Sequence, residues 1–488
     1  MAVIRDYRDF CDKAHFEYKD YQHSGVSFCK NVEANTRWRG GLIADEMGLG
    51  KTIMMLGLIT CNFKNRTLIV LPLALLHQWQ STIHKHLGHK PLVFHGQTAK
   101  KCTKQQLEKA PIVLTTYGKL ASPVPRKGKP PPPSRPCILK DITWNRVIFD
   151  EGHHLRNAKT GRHQGALDLK AECRWVVTGT PIQNRKSDFY ALCAQMGFSR
   201  AFYSNPDNLK IIAKNHILRR TKSEVGIQLP ALKEHKHKLD WVDEEERDIA
   251  EQIHSLVFSD NERPGRTSQA IHGFGVQKLP LIVRARQVCI CPPLILPKLR
   301  EIMENEDQPC SDTDKKLLLG ASKHSKIDAA VKAIAARKNN RAKLLFCSYR
   351  GEIDMLQERL TEEGLSVSVL DGRVSLKARQ SILADETIDV LILQTQTGCE
   401  GLNLQRFSEV YFMSPQWNPT IEDQAIARAH RLGQRQEVDV FRFIMADFSH
   451  NSITVEKRVV ETQEVKRELA RDITNIEHEQ QPTSMRAQ

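Results

Sequence analysis

Twice along this chain, short runs of β-branched and aliphatic residues recur between stretches of polar or helix-forming sequence. The first series is GGLIADE, TLIVLPL, PIVLTTY, WNRVIFDE and CRWVVTGT; the second, from residue 342, is AKLLFCSY, LSVSVLDG, IDVLILQT and EVYFMSP. Short apolar runs bounded by amphipathic segments read as parallel strands buried on both faces and joined by crossover helices. Two such series predict an α/β chain of two lobes. After ILRRTK (217–222) the pattern changes to charged helical sequence such as WVDEEERDIAEQIHSLVF, then becomes irregular near 258–275. The expected organisation is a first lobe over 1–222, a helical insertion and linker over 223–320, a second lobe over 321–450, and a helical brace with a frayed tail over 451–488. ASPVPRKGKPPPPSRP (121–136) is proline-rich and basic, without apolar periodicity, and reads as an exposed insertion.

Composition narrows the function classes. Lys and Arg number 72 against 57 Asp and Glu, a net charge of +15 that favours polyanionic partners without choosing among them. With 40% apolar and 26% charged residues the chain has the make-up of a globular protein, not a disordered one. No apolar run approaches the roughly 18 residues of a membrane span, and the N-terminal segment lacks an apolar signal core, so an intracellular protein with no membrane partner is expected. The 12 cysteines are scattered. Cys289 and Cys291 are separated by one residue, too close for a zinc turn, so no structural zinc is expected.

The sharpest local signal is GGLIA running into DEMGLGKT (45–52) and then the apolar helical IMMLGLIT. Strand, glycine-rich loop and helix form a phosphate cradle: Gly48 and Gly50 let backbone N–H groups turn inward, and the helix adds its positive end. Asp45, Glu46, Met47, Gly48, Leu49, Gly50, Lys51 and Thr52 are the candidate nucleotide-binding residues, with Lys51 for the β and γ phosphates and Thr52 for Mg²⁺. Asp45 departs from the usual pattern, which has glycine there. In RVIFDEGHH (146–154) a hydrophobic strand ends in two carboxylates. Asp150 is assigned to the Mg²⁺ shell and Glu151 to polarising the attacking water.

Together with TGTPIQN (178–184), ILRRTK and DQAIARAHRLGQ (423–434), these sites make the chain resemble the Swi/Snf-type ATPases of helicase superfamily two. The resemblance covers most of the chain and implies two RecA-like lobes with ATP between them. YKDYQHSGVSF (18–28) is similar to the family's adenine-reading segment, which gives Gln22 a contact to the base. LPLALLHQW (71–79) and LTTY (114–117) look like the first-lobe segments that track a DNA strand. Arg428 and Arg431, three apart on a helical pattern and so on one face, match the arginine fingers that approach the γ-phosphate, with Gln424 beside them at the nucleotide. Thr178, Gly179 and Thr180 are the candidates for coupling nucleotide state to the DNA track, although their hydroxyls would equally stabilise a turn. The resemblance further implies ATP and Mg²⁺ as cofactors, and double-stranded DNA with nucleosomes or other DNA-bound protein as partners. Translocation in chromatin remodelling, transcription or repair, and residence in the nucleus, follow as expectations.

Within the family, DEGH, RLGQRQEV and VDVFRFI resemble the subgroup of the helicase-like transcription factor and the transcription termination factor, and the compact layout resembles viral global transactivators. Those relatives' zinc-binding RING insertion has no counterpart among Cys289, Cys291 and Cys310. Cys399 and Glu400 depart from the family's glycine-rich second-lobe stretch, at a DNA contact. Two alternatives are weaker. RNA helicases usually carry DEAD and H-R-x-G-R-x-x-R where this chain has DEGH and HRLGQRQ, and a catalytically silent scaffold would not need Lys51, Asp150, Glu151, Arg428 and Arg431 intact.

Overall fold

The computed structural model describes residues 6–478 apart from 36, 125–136, 181–185, 259–277, 305–311, 396–401, 403 and 450–451. Most of the proline-rich insertion, the segment after Thr180, Cys310, and the Cys399 and Glu400 departures lie outside the described residues. The chain divides into two compact units, one running to Gln228 and one covering Leu229–Glu468.

The first unit holds β1 (Gly40–Ile43), β2 (Thr67–Leu71), β3 (Leu92–Phe94), β4 (Ile112–Thr116), β5 (Thr143–Asp150), β6 (Lys170–Val177) and β7 (Ile217–Leu218). They form one sheet in the order β3-β4-β2-β5-β6-β1-β7, every neighbouring pair parallel. Side-chain alternation divides each central strand between two cores. Ile69 and Leu71 of β2 and Ile148 of β5 pack with the N-terminal helices, while Leu68, Val70, Val147 and Phe149 pack on the opposite face. That double burial is why these strands appear in the sequence as unbroken apolar runs.

The second unit holds β8 (Leu232–Leu239), β9 (Ala342–Cys347), β10 (Val367–Leu370), β11 (Val390–Gln394), β12 (Phe407–Phe412) and β13 (Val438–Met445). Their order is β10-β11-β9-β12-β13-β8, again parallel throughout. Leu345 and Ile392 face one core, Leu344, Phe346, Leu391 and Leu393 the other. The helices Glu244–Phe258, Lys278–Ile290, Leu296–Glu304 and Asp312–Ala321 gather with Met445, Phe448 and Val455 into a further core. The expected α/β architecture with two parallel sheets is what the chain adopts.

Four strands escaped the sequence pattern. β3 and β7 are too short to show a period, and β8 lies in sequence read as helical. Its LKEHKHKL pairs along its full length with β13 as an exposed edge strand, where charge replaces the apolar signal. In β13 itself Arg442 interrupts the apolar run, and its burial is compensated by Glu422 at 2.8 Å and Glu234 at 3.0 Å. Among the described residues no helix is long and apolar enough to cross a membrane.

One buried acid makes the second unit sensitive to pH. Glu352 opens the helix Arg350–Glu362, and its Oε2 accepts the N–H groups of Ser348 and Tyr349, both at 2.9 Å. Burial pushes its carboxyl up to about 7 against those donors and the charges of Lys326 and Arg286. A raised acid favours the folded state fully while it is protonated in both states, so its contribution is complete below about pH 4.5 and lost as the pH rises through 7. Glu352→Gln is therefore expected to flatten this dependence, with a relative gain on the order of 3 kcal/mol by pH 8. Denaturant titration of the second unit at pH 5 and pH 8 checks it, and an unchanged pH slope would refute the assignment.

Candidate nucleotide-binding site

β1 delivers the chain directly into the loop 45–50, and the helix Lys51–Cys61 follows, buried from Met54 onward. Gly48 and Gly50 have φ of +94° and +79°, in the left-handed region that lets successive N–H groups face one side. A Cβ at Gly50 would lie 2.4 Å from Gln22 Nε2, so a side chain there would push the Gln22 amide aside. Lys51 Nζ donates to the carbonyls of Asp45 at 2.8 Å and Glu46 at 3.3 Å, which holds the ammonium over the loop. Thr52 is half-buried in the first helical turn.

The acidic residues of the loop turn away from it. Asp45, fully buried, receives Arg220 Nε on Oδ1 at 3.1 Å and Nη2 on Oδ2 at 2.5 Å, and Arg220 Nη1 also binds the carbonyl of Tyr21. Glu46 accepts the Lys222 backbone N–H at 2.7 Å and pairs with Lys222 Nζ at 2.8 Å. The carboxylates of Asp45 and Glu46 are thus engaged by the 217–222 segment, which explains how an acid is tolerated where such loops have glycine. What these two positions offer a phosphate is backbone. Gln22 is buried, its Nε2 donating to the Leu49 carbonyl at 3.2 Å and its Oε1 accepting from Tyr7 Oη at 3.0 Å, so its amide is tethered to the loop.

β5 ends at Asp150, and Glu151 turns the chain with φ +50° and ψ +48°, a conformation uncommon for a residue with a side chain. Asp150 Oδ1 accepts the Glu151 N–H at 3.1 Å and Oδ2 accepts Trp79 Nε1 at 2.7 Å. Burial, and then the charge of Glu151, raise its carboxyl above the ordinary range. Glu151 Oε2 lies 3.2 Å from His153 Nδ1, the same nitrogen lies 3.4 Å from Thr178 Oγ1, and Thr178 Oγ1 accepts the Thr180 N–H at 3.2 Å. His153 Nδ1 therefore stands between Glu151 and Thr178, within ion-pair distance of the one and hydrogen-bond distance of the other. The segment 178–180 also abuts the loop, since a Cβ on Gly179 would meet Met47 Cγ at 2.8 Å and Lys51 Nζ at 3.3 Å. The first unit thus gathers Gln22, 45–52, Asp150, Glu151 and 178–180. An oxygen donor set of Asp150 carboxylate and Thr52 hydroxyl fits a hard divalent cation such as Mg²⁺.

Gln424, Arg428 and Arg431 belong to the second unit. Gln424 is buried and Arg428 half-buried in the helix Pro419–Ala429. Arg431 falls beyond the end of that helix, after His430, so the two arginines do not share a helical face as their spacing suggested. They are neighbours nonetheless: burial and then the charge of Arg428 lower the Arg431 guanidinium from its ordinary value. Arg431 Nε is buried without a hydrogen-bond partner among the described residues, a donor left for something else to satisfy.

Sequence reasoning assigned no site role to Trp79, Tyr117, Tyr7 or Arg220. Arg220 left a trace, because an acid in a phosphate loop requires a nearby cation. The other three left none, since a core aromatic and one whose polar atom reaches a functional residue look alike in sequence.

A glycine-bent loop capped by a lysine, beside a strand ending in adjacent carboxylates on a parallel sheet, is the architecture of a P-loop nucleoside triphosphatase. The SNF2-related domain matches residues 21–293 and the helicase conserved C-terminal domain matches 325–433. The chain belongs to the SNF2-related family and is a helicase-like, DNA-dependent ATPase. It is 29% identical to the probable global transactivator of Orgyia pseudotsugata multicapsid polyhedrosis virus over 89% of this chain and 87% of that one. With the DNA repair protein RAD5 of Candida albicans identity is 26%, over 88% of this chain but 56% of the relative, so the chain spans about half the length of that protein. The Sulfolobus solfataricus SWI2/SNF2 ATPase core in complex with dsDNA is 22% identical, covering 94% of this chain and 92% of that one with a TM-score of 0.39.

Proposed function

We propose that this protein uses ATP hydrolysis to translocate on double-stranded DNA and to displace or remodel protein bound there, nucleosomes included, in the nucleus. The observation that carries this reading is the proximity of Lys51, Glu151 and 178–180 within one unit: Gly179 lies against Lys51, and His153 Nδ1 lies between Glu151 and Thr178. A change at the triphosphate would be felt at 178–180, and through that segment by the DNA track. The residues have distinct tasks. The loop N–H groups and Lys51 hold the phosphates, Gln22 the base, and Glu151 takes a proton from the attacking water. Mg²⁺, held by Asp150 and Thr52, would neutralise charge on the phosphate oxygens. Arg428 and Arg431 carry charge suited to the leaving phosphate, and Gln424 an amide suited to the nucleotide. The net charge of +15 suits a phosphate backbone read without sequence preference.

The test is ATPase rate against duplex length, with displacement of a triplex-forming strand as a second readout. Turnover is expected to rise with length to a plateau, to weaken steeply with salt, and to accompany displacement on double-stranded DNA. A rate independent of length with no strand displaced would defeat translocation, and stronger stimulation by RNA would redirect the substrate.

A further inference from the structure

Three acceptor atoms of Asp150 each meet a donor, and two of the donors come from outside β5 and its turn. Trp79 Nε1 reaches Oδ2 at 2.7 Å, Tyr117 Oη donates to the backbone carbonyl at 2.6 Å, and the Glu151 N–H reaches Oδ1 at 3.1 Å. We propose that Trp79 and Tyr117 are positioning residues for Asp150, through which the segments 71–79 and 114–117 set where its metal-holding carboxylate sits. The inference rests on Asp150 being a metal ligand, as read above.

The chemistry of the donors supports a positioning role. An aspartate's carboxylate rotates softly about its last bond, so something outside the residue must fix which lone pairs remain for a cation. An indole N–H only donates, so Trp79 accepts one orientation, with Oδ2 towards itself. Tyr117 fixes the other end by holding the main chain from which the carboxylate springs. All three side chains are buried, at 2% exposure for Trp79, 3% for Tyr117 and 7% for Asp150, so water does not substitute for either donor cheaply.

The placement of the two donors gives the contact a purpose. Trp79 stands in the first turn of the helix Leu76–Leu87, which follows β2, and Tyr117 opens the short helix Tyr117–Leu120 directly after β4. β4, β2 and β5 are consecutive strands of the sheet, so both segments leave it at the same end as Asp150. Any load that shifts either segment moves a donor relative to the carboxylate. These are the segments expected to follow a DNA strand, so grip on DNA would be read at the metal site independently of 178–180.

The test compares the wild-type chain with Trp79→Phe, which keeps a ring and loses the N–H, Tyr117→Phe, which loses one hydroxyl, and Asp150→Asn as the reference for a lost ligand. Two readouts matter: the Mg²⁺ concentration giving half-maximal DNA-stimulated turnover, and Mn²⁺ retained by the protein with ADP, measured by electron paramagnetic resonance without turnover. Trp79→Phe is expected to weaken both by about tenfold or more. Fluorescent-ADP affinity in EDTA should be unchanged and turnover restored by excess Mg²⁺. Tyr117→Phe should move Mn²⁺ retention in the same direction by a smaller factor, and serves alone if Trp79→Phe fails to fold. Lower turnover or melting temperature with unaltered metal dependence would make both residues packing groups and overturn the proposal. Unaltered Mn²⁺ retention in Asp150→Asn would instead remove Asp150 from the metal site, a failure of the underlying reading that this control separates.

Discussion

Glu151→Gln is expected to reduce DNA-stimulated ATP turnover by roughly 10² to 10⁴-fold, while nucleotide binding and the thermal stability of the first unit stay near wild type. The substitution preserves shape, so the left-handed turn at φ +50° that carries this side chain is strained no further. What it removes is a proton acceptor. The amide can still lie beside His153, 3.2 Å from the present Oε2, so the packing of this side chain against His153 is kept. Loss of turnover with intact nucleotide affinity assigns the residue to the chemical step. Equal loss of both would mean that the turn had collapsed, and wild-type turnover would dismiss Glu151 as the base. Lys51→Ala makes the complementary case, because it should weaken nucleotide binding itself.

The largest stability effect should follow Arg220→Met. Asp45 is fully buried and the bidentate Arg220 guanidinium, only 15% exposed, is its charge partner. Removing one member of a buried pair leaves an uncompensated charge and costs about 3–5 kcal/mol. Adding Asp45→Asn should return a large part of that, since the orphaned charge and not the missing attraction dominates the penalty. Urea unfolding followed by the fluorescence of the buried Trp79, Trp144 and Trp175 measures both variants. A double variant as unstable as the single one would show that Arg220 acts through its bonds to Tyr21 and Ser24 instead. The nucleotide site should suffer with the fold, because Arg220 and Lys222 together fix the backbone that faces the phosphates.

Much of this could be read from residue order. Runs such as TLIVL and IVLTT declare buried parallel strands because both faces are covered, and DEMGLGKT beside RVIFDEGHH declares a phosphate loop and its carboxylates because few other arrangements need those residues in that order. Strand β8 was illegible for the opposite reason. As an exposed edge its LKEHKHKL carries charge where the inner strands carry valine and leucine, and its membership of the sheet is stated only by its hydrogen bonds to β13. The arginine pair was half legible: three-residue spacing promised one helical face, but the helix stops at Ala429 and the two charges meet across a turn.

The sequence by itself therefore determined the α/β class, the family, and which side chains are available to hold a nucleotide, since periodicity and motif order are properties of a line. Only the tertiary structure decided that Asp45 answers to Arg220, 175 residues away, and that Trp79 and Tyr117 hold Asp150. Such pairings join positions far apart in the chain, and they exist because a buried polar atom must find a partner in space, wherever in the order of residues that partner happens to be.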